Sequence, residues 1–242
     1  MTPSFSTFSP KDTMLNRNRI DIWQFSLRTE PFFAFSLLNA EEQQRATRYH
    51  FKRDQRRFTV ARSMLRTILA RYLQAAPDEL IFAYPNKGKP TLTPVHAIEF
   101  NLSHSGELAL LAVGLDFELG IDLEFMTARP FTGIANILFS DAEQKDLNQL
   151  TPILKPLGFF HIWAQKEAFI KATGLGLSYP TEQFDVSVLP TGAYDILDKI
   201  HHTSWRMQSF MPEIACSAAL CHHPEVKDIR YLCLSDLNEI TY

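Results

Sequence analysis

The stretch from Asn101 to Glu124, NLSHSGELALLAVGLDFELGIDLE, leaves this chain the least freedom in how it folds. A short polar segment, Ser103-His104-Ser105-Gly106, separates two apolar runs and reads as the turn between strands at Ile98 to Leu102 and Leu108 to Leu115. The second run is far too short to span a bilayer. The stretch ends on Gly120-Ile121-Asp122-Leu123-Glu124. In a strand, residues two apart share a face, so Asp122 and Glu124 project together while Ile121 and Leu123 enter the core.

Two like charges about 5 Å apart repel by about 3 kcal/mol at an effective dielectric near 20, so the pair asks for a cation or a proton. Oxygen ligands of this kind suit magnesium, which takes one or two carboxylates and completes its shell with water and phosphate. Two solvated acids at a strand end are the plainer alternative. Downstream, Trp163-Ala164-Gln165-Lys166-Glu167-Ala168-Phe169-Ile170-Lys171 leads to Gly174 and Leu177 and reads as a helix. It puts Trp163, Glu167 and Lys171 on one line at i,i+4 spacing, with Gly174 as a stop. Taken by itself, a Glu and a Lys four apart make an ordinary surface ion pair.

In this order and at this separation, the Ser-His-Ser-Gly, Gly-Ile-Asp-Leu-Glu and Trp163-to-Leu177 motifs resemble the Sfp-type 4′-phosphopantetheinyl transferases, in the branch whose second motif reads W-x-x-K-E-A. Weaker agreement extends from about Arg45 through Phe184. The resemblance implies an Mg²⁺-dependent enzyme, with Mn²⁺ as the alternative ion. Such an enzyme moves the 4′-phosphopantetheine arm of coenzyme A onto a serine of an apo acyl or peptidyl carrier protein and releases adenosine 3′,5′-bisphosphate. It makes Asp122, Glu124 and Glu167 the metal ligands and Glu167 the leading general base, with a metal-bound water as the alternative. Lys171 would stabilise the diphosphate or leaving group, and Ser103, His104 and Lys89 would contact coenzyme A phosphates. The implied fold is α+β, a pseudo-two-fold pair of similar α/β subdomains with the active site in the cleft between them.

The rest of the chain sets the scene for that site. With 45% hydrophobic and 21% charged residues over 242 positions, it is an ordinary globular protein with room for a substantial core. Its net charge is −3, yet Arg45 to Arg71 carries nine Arg or Lys against the single acid Asp54. Arg57, Arg62 and Arg66 lie in this basic stretch as candidate phosphate contacts, and a solvated basic face is the other reading. The stretch carries no known nucleic-acid-binding motif, so nucleic acid is not the expected partner. An acidic carrier protein is one. A coenzyme A or carrier-binding module without catalysis is the alternative function, but it would not need three acids and a lysine in place.

Residues 1–18 read as a tail, 19–114 as a first subdomain and 115–242 as a second. A strand is expected over Arg19 to Leu27, and capping boxes at Asn39/Glu42 and Ser140/Glu143 start two helices. Asp54 is expected to cap a helix through Leu73. Leu80 to Tyr84 reads as a strand before an Asn86-to-Pro90 turn that presents Lys89, and Thr151 to Gly158 as a connection. Strands are expected at Phe184 to Leu189, Ser204 to Phe210, Ile214 to Cys221 and Asp228 to Leu234, completing the second sheet. Cys216, Cys221, His222 and His223 fit no standard zinc spacing and read as buried thiols beside histidines. With no apolar leader and three cysteines, a cytoplasmic monomer without membrane contact is expected.

Overall fold

The computed structural model describes residues 2–7, 14–84, 89–128 and 130–234. In chain order the elements are β1 (Ser6–Thr7), β2 (Arg19–Ser26), α1 (Ala40–Thr47), α2 (Lys52–Leu73), β3 (Ile81–Ala83), β4 (Thr91–Thr93), β5 (Ile98–Ser105), β6 (Leu108–Leu115) and β7 (Leu119–Phe125). There follow α3 (Thr132–Leu138), α4 (Asp141–Gln149), α5 (Lys155–Ala172), β8 (Tyr194–Asp198), β9 (Thr203–Phe210), β10 (Cys216–His222) and β11 (Asp228–Leu234).

Alternation along the strands builds the layers. Strand β2 sends Trp23 and Phe25 towards α2, where they meet Met64, Leu65 and Ile68, and sends Ile20 and Ile22 the other way. There they meet Ile121 and Leu123 of β7 and Ala218 and Leu220 of β10, so two sheets lie face to face. Helix α5 covers the far side of the second sheet through Ala168 and Phe169, packed with Met207 and Ala219. The result is helix, sheet, sheet, helix, which bears out the α+β expectation. The first sheet runs β1-β11-β2-β6-β5 and the second β7-β10-β9-β8.

Helix starts follow local chemistry in two cases. Both capping boxes form: Asn39 accepts from the Glu42 N–H, and Ser140 accepts from that of Glu143. The third differs, because α2 begins at Lys52 on Phe51 with no side-chain cap, ahead of Asp54. A missing cap costs about 1 kcal/mol, whereas burying a single Leu, Ile or Met gains about 1.5–3 kcal/mol. Packing of Met64, Leu65 and Ile68 therefore decides that helix.

Four further departures have physical reasons. Helix α5 starts at Lys155, inside the expected connection, because Pro156 sits in its first turn where no N–H is needed. Residues 184–189 form no strand, since Lys166 binds the carbonyls of Thr181 and Phe184 and holds that segment against α5. Part of the expected tail is used, with β1 parallel to β11. Strand β11, counted with the second half by sequence order, pairs in parallel with β2 of the first sheet. There Arg230 donates to Asp21, whose buried carboxylate also accepts from the Tyr72 hydroxyl.

Candidate active site

Strand β7 has one apolar face and one acidic face. Ile121 and Leu123 are buried between the sheets, and Asp122 and Glu124 turn towards α5. Gly120 allows that approach: a Cβ built there would lie 2.1 Å from the Ala168 carbonyl oxygen and 2.4 Å from the Ala172 nitrogen. Any side chain at this position would push the helix off the strand. The close contact brings Glu167 and Lys171, one helical turn apart on α5, over the acids.

Asp122 is 3% exposed, and its Oδ1 accepts from the Lys171 ammonium at 2.6 Å and the Ser103 hydroxyl at 2.8 Å. Lys171 also donates to Ser103 at 3.0 Å. The other oxygen, Asp122 Oδ2, is buried and has no hydrogen-bond partner among the described residues. Glu124 Oε2 accepts from Ser105 at 3.0 Å. Burial and then the charge of Asp122 push the Glu124 carboxyl up, against hydrogen bonds from Ser105 and Trp163. Glu167 is pushed up to about 7 by burial and by Asp122, with Lys171 pulling the other way. The His104 imidazole is held below its usual value by burial, then by Lys171 and Arg57. Beside Glu124 opens a cavity of about 470 Å³, lined by Arg53, Arg57, Ser105, Phe131 and Trp163 among others.

Three coupled carboxylates against one lysine make a site short of positive charge, and an orphaned buried oxygen within it is unusual. An all-oxygen donor set of this kind fits a hard divalent cation. Among the described residues no three acid, His or Cys side chains are already gathered as a metal cage.

Two family descriptions match successive parts of the chain: "4′-phosphopantetheinyl transferase, N-terminal" over residues 22–115 and "4′-phosphopantetheinyl transferase superfamily" over residues 118–219. The 4′-phosphopantetheinyl transferase HetI of Nostoc sp. is 32% identical over 220 residues, covering 87% of this chain and 90% of the relative. This chain belongs to the 4′-phosphopantetheinyl transferase superfamily. Also similar are the transferase Sfp of Bacillus subtilis, at 28% over 78% of this chain and 84% of the relative, and a rat enzyme. The latter, L-aminoadipate-semialdehyde dehydrogenase-phosphopantetheinyl transferase, is 29% identical over 69% of this chain and 60% of its own length.

Within the transferase, the expected site residues divide. Asp122, Lys171 and Ser103 are in direct contact, and Glu124 and Glu167 lie near enough for the charge of Asp122 to act on both. Ser103 and His104 do not form a turn: strand β5 runs through Ser105, paired to Leu108 of β6, and Gly106-Glu107 makes the bend, with Gly106 at φ +57°. Backbone pairing therefore replaces the expected turn, and Ser103 and His104 point to opposite faces. Arg57 borders the cavity while donating to Glu107. Arg62 and Arg66 are instead buried on Glu42, Arg62 at 2.6 Å and Arg66 at 2.7 Å, and Arg62 also meets the Tyr84 hydroxyl. Their i,i+4 spacing serves this carboxylate.

Lys89 donates to Glu99 and to the Leu119 carbonyl at 3.0 Å each, tying the turn to the start of β7. Residues 85–88 of that turn lie outside the described residues. Cys216 and Cys221 are buried free thiols in β10, and among the described residues no helix is long and apolar enough to cross a membrane. Asn101 and Gly120 escaped the sequence reading as site residues. The Gly two positions ahead of Asp122 on the same strand face was the available signal.

Proposed function

We propose that this transferase acts with a divalent cation, Mg²⁺ or in its place Mn²⁺, held by Asp122, Glu124 and Glu167. The observation that carries the reading is Asp122: one oxygen is taken by Lys171 and Ser103, and the other is buried without a partner. A cation there would neutralise the diphosphate of coenzyme A.

The serine hydroxyl of an apo carrier protein attacks the phosphorus next to the pantetheine arm. The bond from that phosphorus to the bridging oxygen breaks, and adenosine 3′,5′-bisphosphate leaves. Glu167, one turn of α5 before Lys171, is placed to accept the serine proton. Lys171, 2.6 Å from Asp122, is placed to offset charge growing on the leaving phosphate once a cation relieves it of that carboxylate. Arg57, on the cavity, and His104, within reach of the charges of Arg57 and Lys171, are assigned to coenzyme A phosphates. Both halves of the site lie in one chain, which supports a monomeric enzyme.

The test is the intact mass of an apo acyl carrier protein after incubation with the protein, coenzyme A and Mg²⁺. A gain of one phosphopantetheine arm, lost with EDTA and in Asp122→Ala, is expected. A gain that persists under chelation would refute the cation; no gain on any fatty-acid, polyketide or nonribosomal-peptide carrier would refute the transfer.

A further inference from the structure

Strands β5 and β7 are edge strands of different sheets, so no backbone ladder joins them. Side chains do so instead. Asn101, Ser103 and Ser105 alternate along one face of β5 and all reach β7. Asn101 Oδ1 accepts from the Ile121 N–H at 2.9 Å. Ser103 donates to Asp122, and Ser105 both donates to Glu124 and accepts from the Phe125 N–H at 3.2 Å. The backbone rungs, at Ile121 and Phe125, bracket the two acids.

We infer that Asn101 and Ser105 are positioning residues, two rungs of a side-chain ladder that registers the acidic strand against the first half and aims Glu124. A slip of one residue would turn Asp122 and Glu124 to the opposite face, so a pairing that fixes register fixes the site. Hydroxyl and amide side chains accept from the β7 backbone while Ser105 also holds a carboxylate oxygen, which a backbone ladder does not do. The hydroxyl of Ser105 thus carries two duties at once: closing the seam and orienting a ligand oxygen. Trp163, which also hydrogen-bonds Glu124, holds that carboxylate from the helix side.

The inference rests on the reading of Glu124 as a cation ligand, and two independent readouts separate their fates. One is Mg²⁺ binding to the full chain by calorimetry with coenzyme A present. The other is deuterium uptake of residues 119–125 in the metal-free protein. Ser105 borders the cavity and is not a core side chain, so Ser105→Ala should fold. Ser105→Ala is expected to weaken Mg²⁺ binding about 10-fold, the low end for groups that orient metal ligands, and to raise uptake at Phe125. Ser105→Thr, which restores the hydroxyl, should keep both at wild-type values. Wild-type behaviour of the Ala variant would overturn the ladder, as would equal losses in Ala and Thr. Raised uptake with unchanged affinity would overturn the aiming of Glu124. A wild-type protein that binds no Mg²⁺ would sink the cation reading, and uptake alone would then decide the ladder.

Discussion

Two buried charge clusters, one in each half of the molecule, are built to opposite ends. In the first half Glu42 has two arginines: Arg62 binds one carboxylate oxygen and Arg66 the other, which also accepts from the Asn39 N–H. Glu42 is 5% exposed and Arg66 fully buried. In the second half Asp122, Glu124 and Glu167 face one lysine, Lys171, which of the three binds Asp122 alone; one Asp122 oxygen is unpartnered, and two of the three acids are pushed up. A filled carboxylate fastens α1 to α2. A set of acids starved of cations stores affinity for a cation or a proton, which is the condition a transferase site needs. The same residue types therefore give a brace in one place and, on the proposed reading, a reaction centre in the other, and the ratio of acids to cations separates them.

The largest expected effect breaks the reaction centre without touching the brace. Glu167→Gln keeps size and removes the base, so transfer measured by carrier mass should fall by about 10²- to 10⁴-fold. Its unfolding midpoint in urea should hold or rise, because a repelling charge has gone. A variant that loses stability in step with activity would place Glu167 with the brace.

The converse change is Glu42→Ala. Removing the acid strands two buried guanidiniums, and breaking such a pair costs about 3–5 kcal/mol. Urea unfolding should show that loss, while the variant that remains folded keeps its Mg²⁺ dependence. This cluster also marks where the sequence stopped being legible. The basic stretch from Arg45 to Arg71 was plain, but which of its arginines turn inward depends on Glu42 arriving from another helix. By contrast, the shared faces of Asp122 with Glu124 and of Glu167 with Lys171 were readable because each pair shares one element, where period 2 or 3.6 sets the face. Serine-rich β5 misled for a related reason. Ser103 and Ser105 look like turn residues until β7 supplies their partners. Strand β11 was found as a strand, yet nothing local says that it crosses to the first sheet.

A third, smaller effect separates the clusters by pH. Glu167 has its carboxyl at about 7 when folded, against an ordinary value of 4.5. Between these pH values the folded protein holds a proton that the unfolded chain has released. Stability of the metal-free protein therefore falls as pH rises through that window. Urea titrations in EDTA should show the decline, Glu167→Gln should reduce it, and Mg²⁺ should flatten it by favouring the ionised carboxylates. A slope that survives Glu167→Gln unchanged would assign the proton elsewhere.

The smallest expected effect tests whether charge pairing matters at all without burial. Arg206 and Asp195 meet at 2.9 Å across β8 and β9, with side chains 39% and 60% exposed. The contact is nearly as short as those on Glu42, at 2.6 and 2.7 Å, but water screens it and both side chains keep other options. Such pairs contribute about 0–1 kcal/mol, so Arg206→Gln should move the urea midpoint barely beyond error and leave transfer intact. A loss approaching that of Glu42→Ala would mean that geometry alone sets the strength of these pairs. The contrast between the two buried clusters would then rest on distance, and the excess of acids over cations around Asp122 would lose its explanatory role.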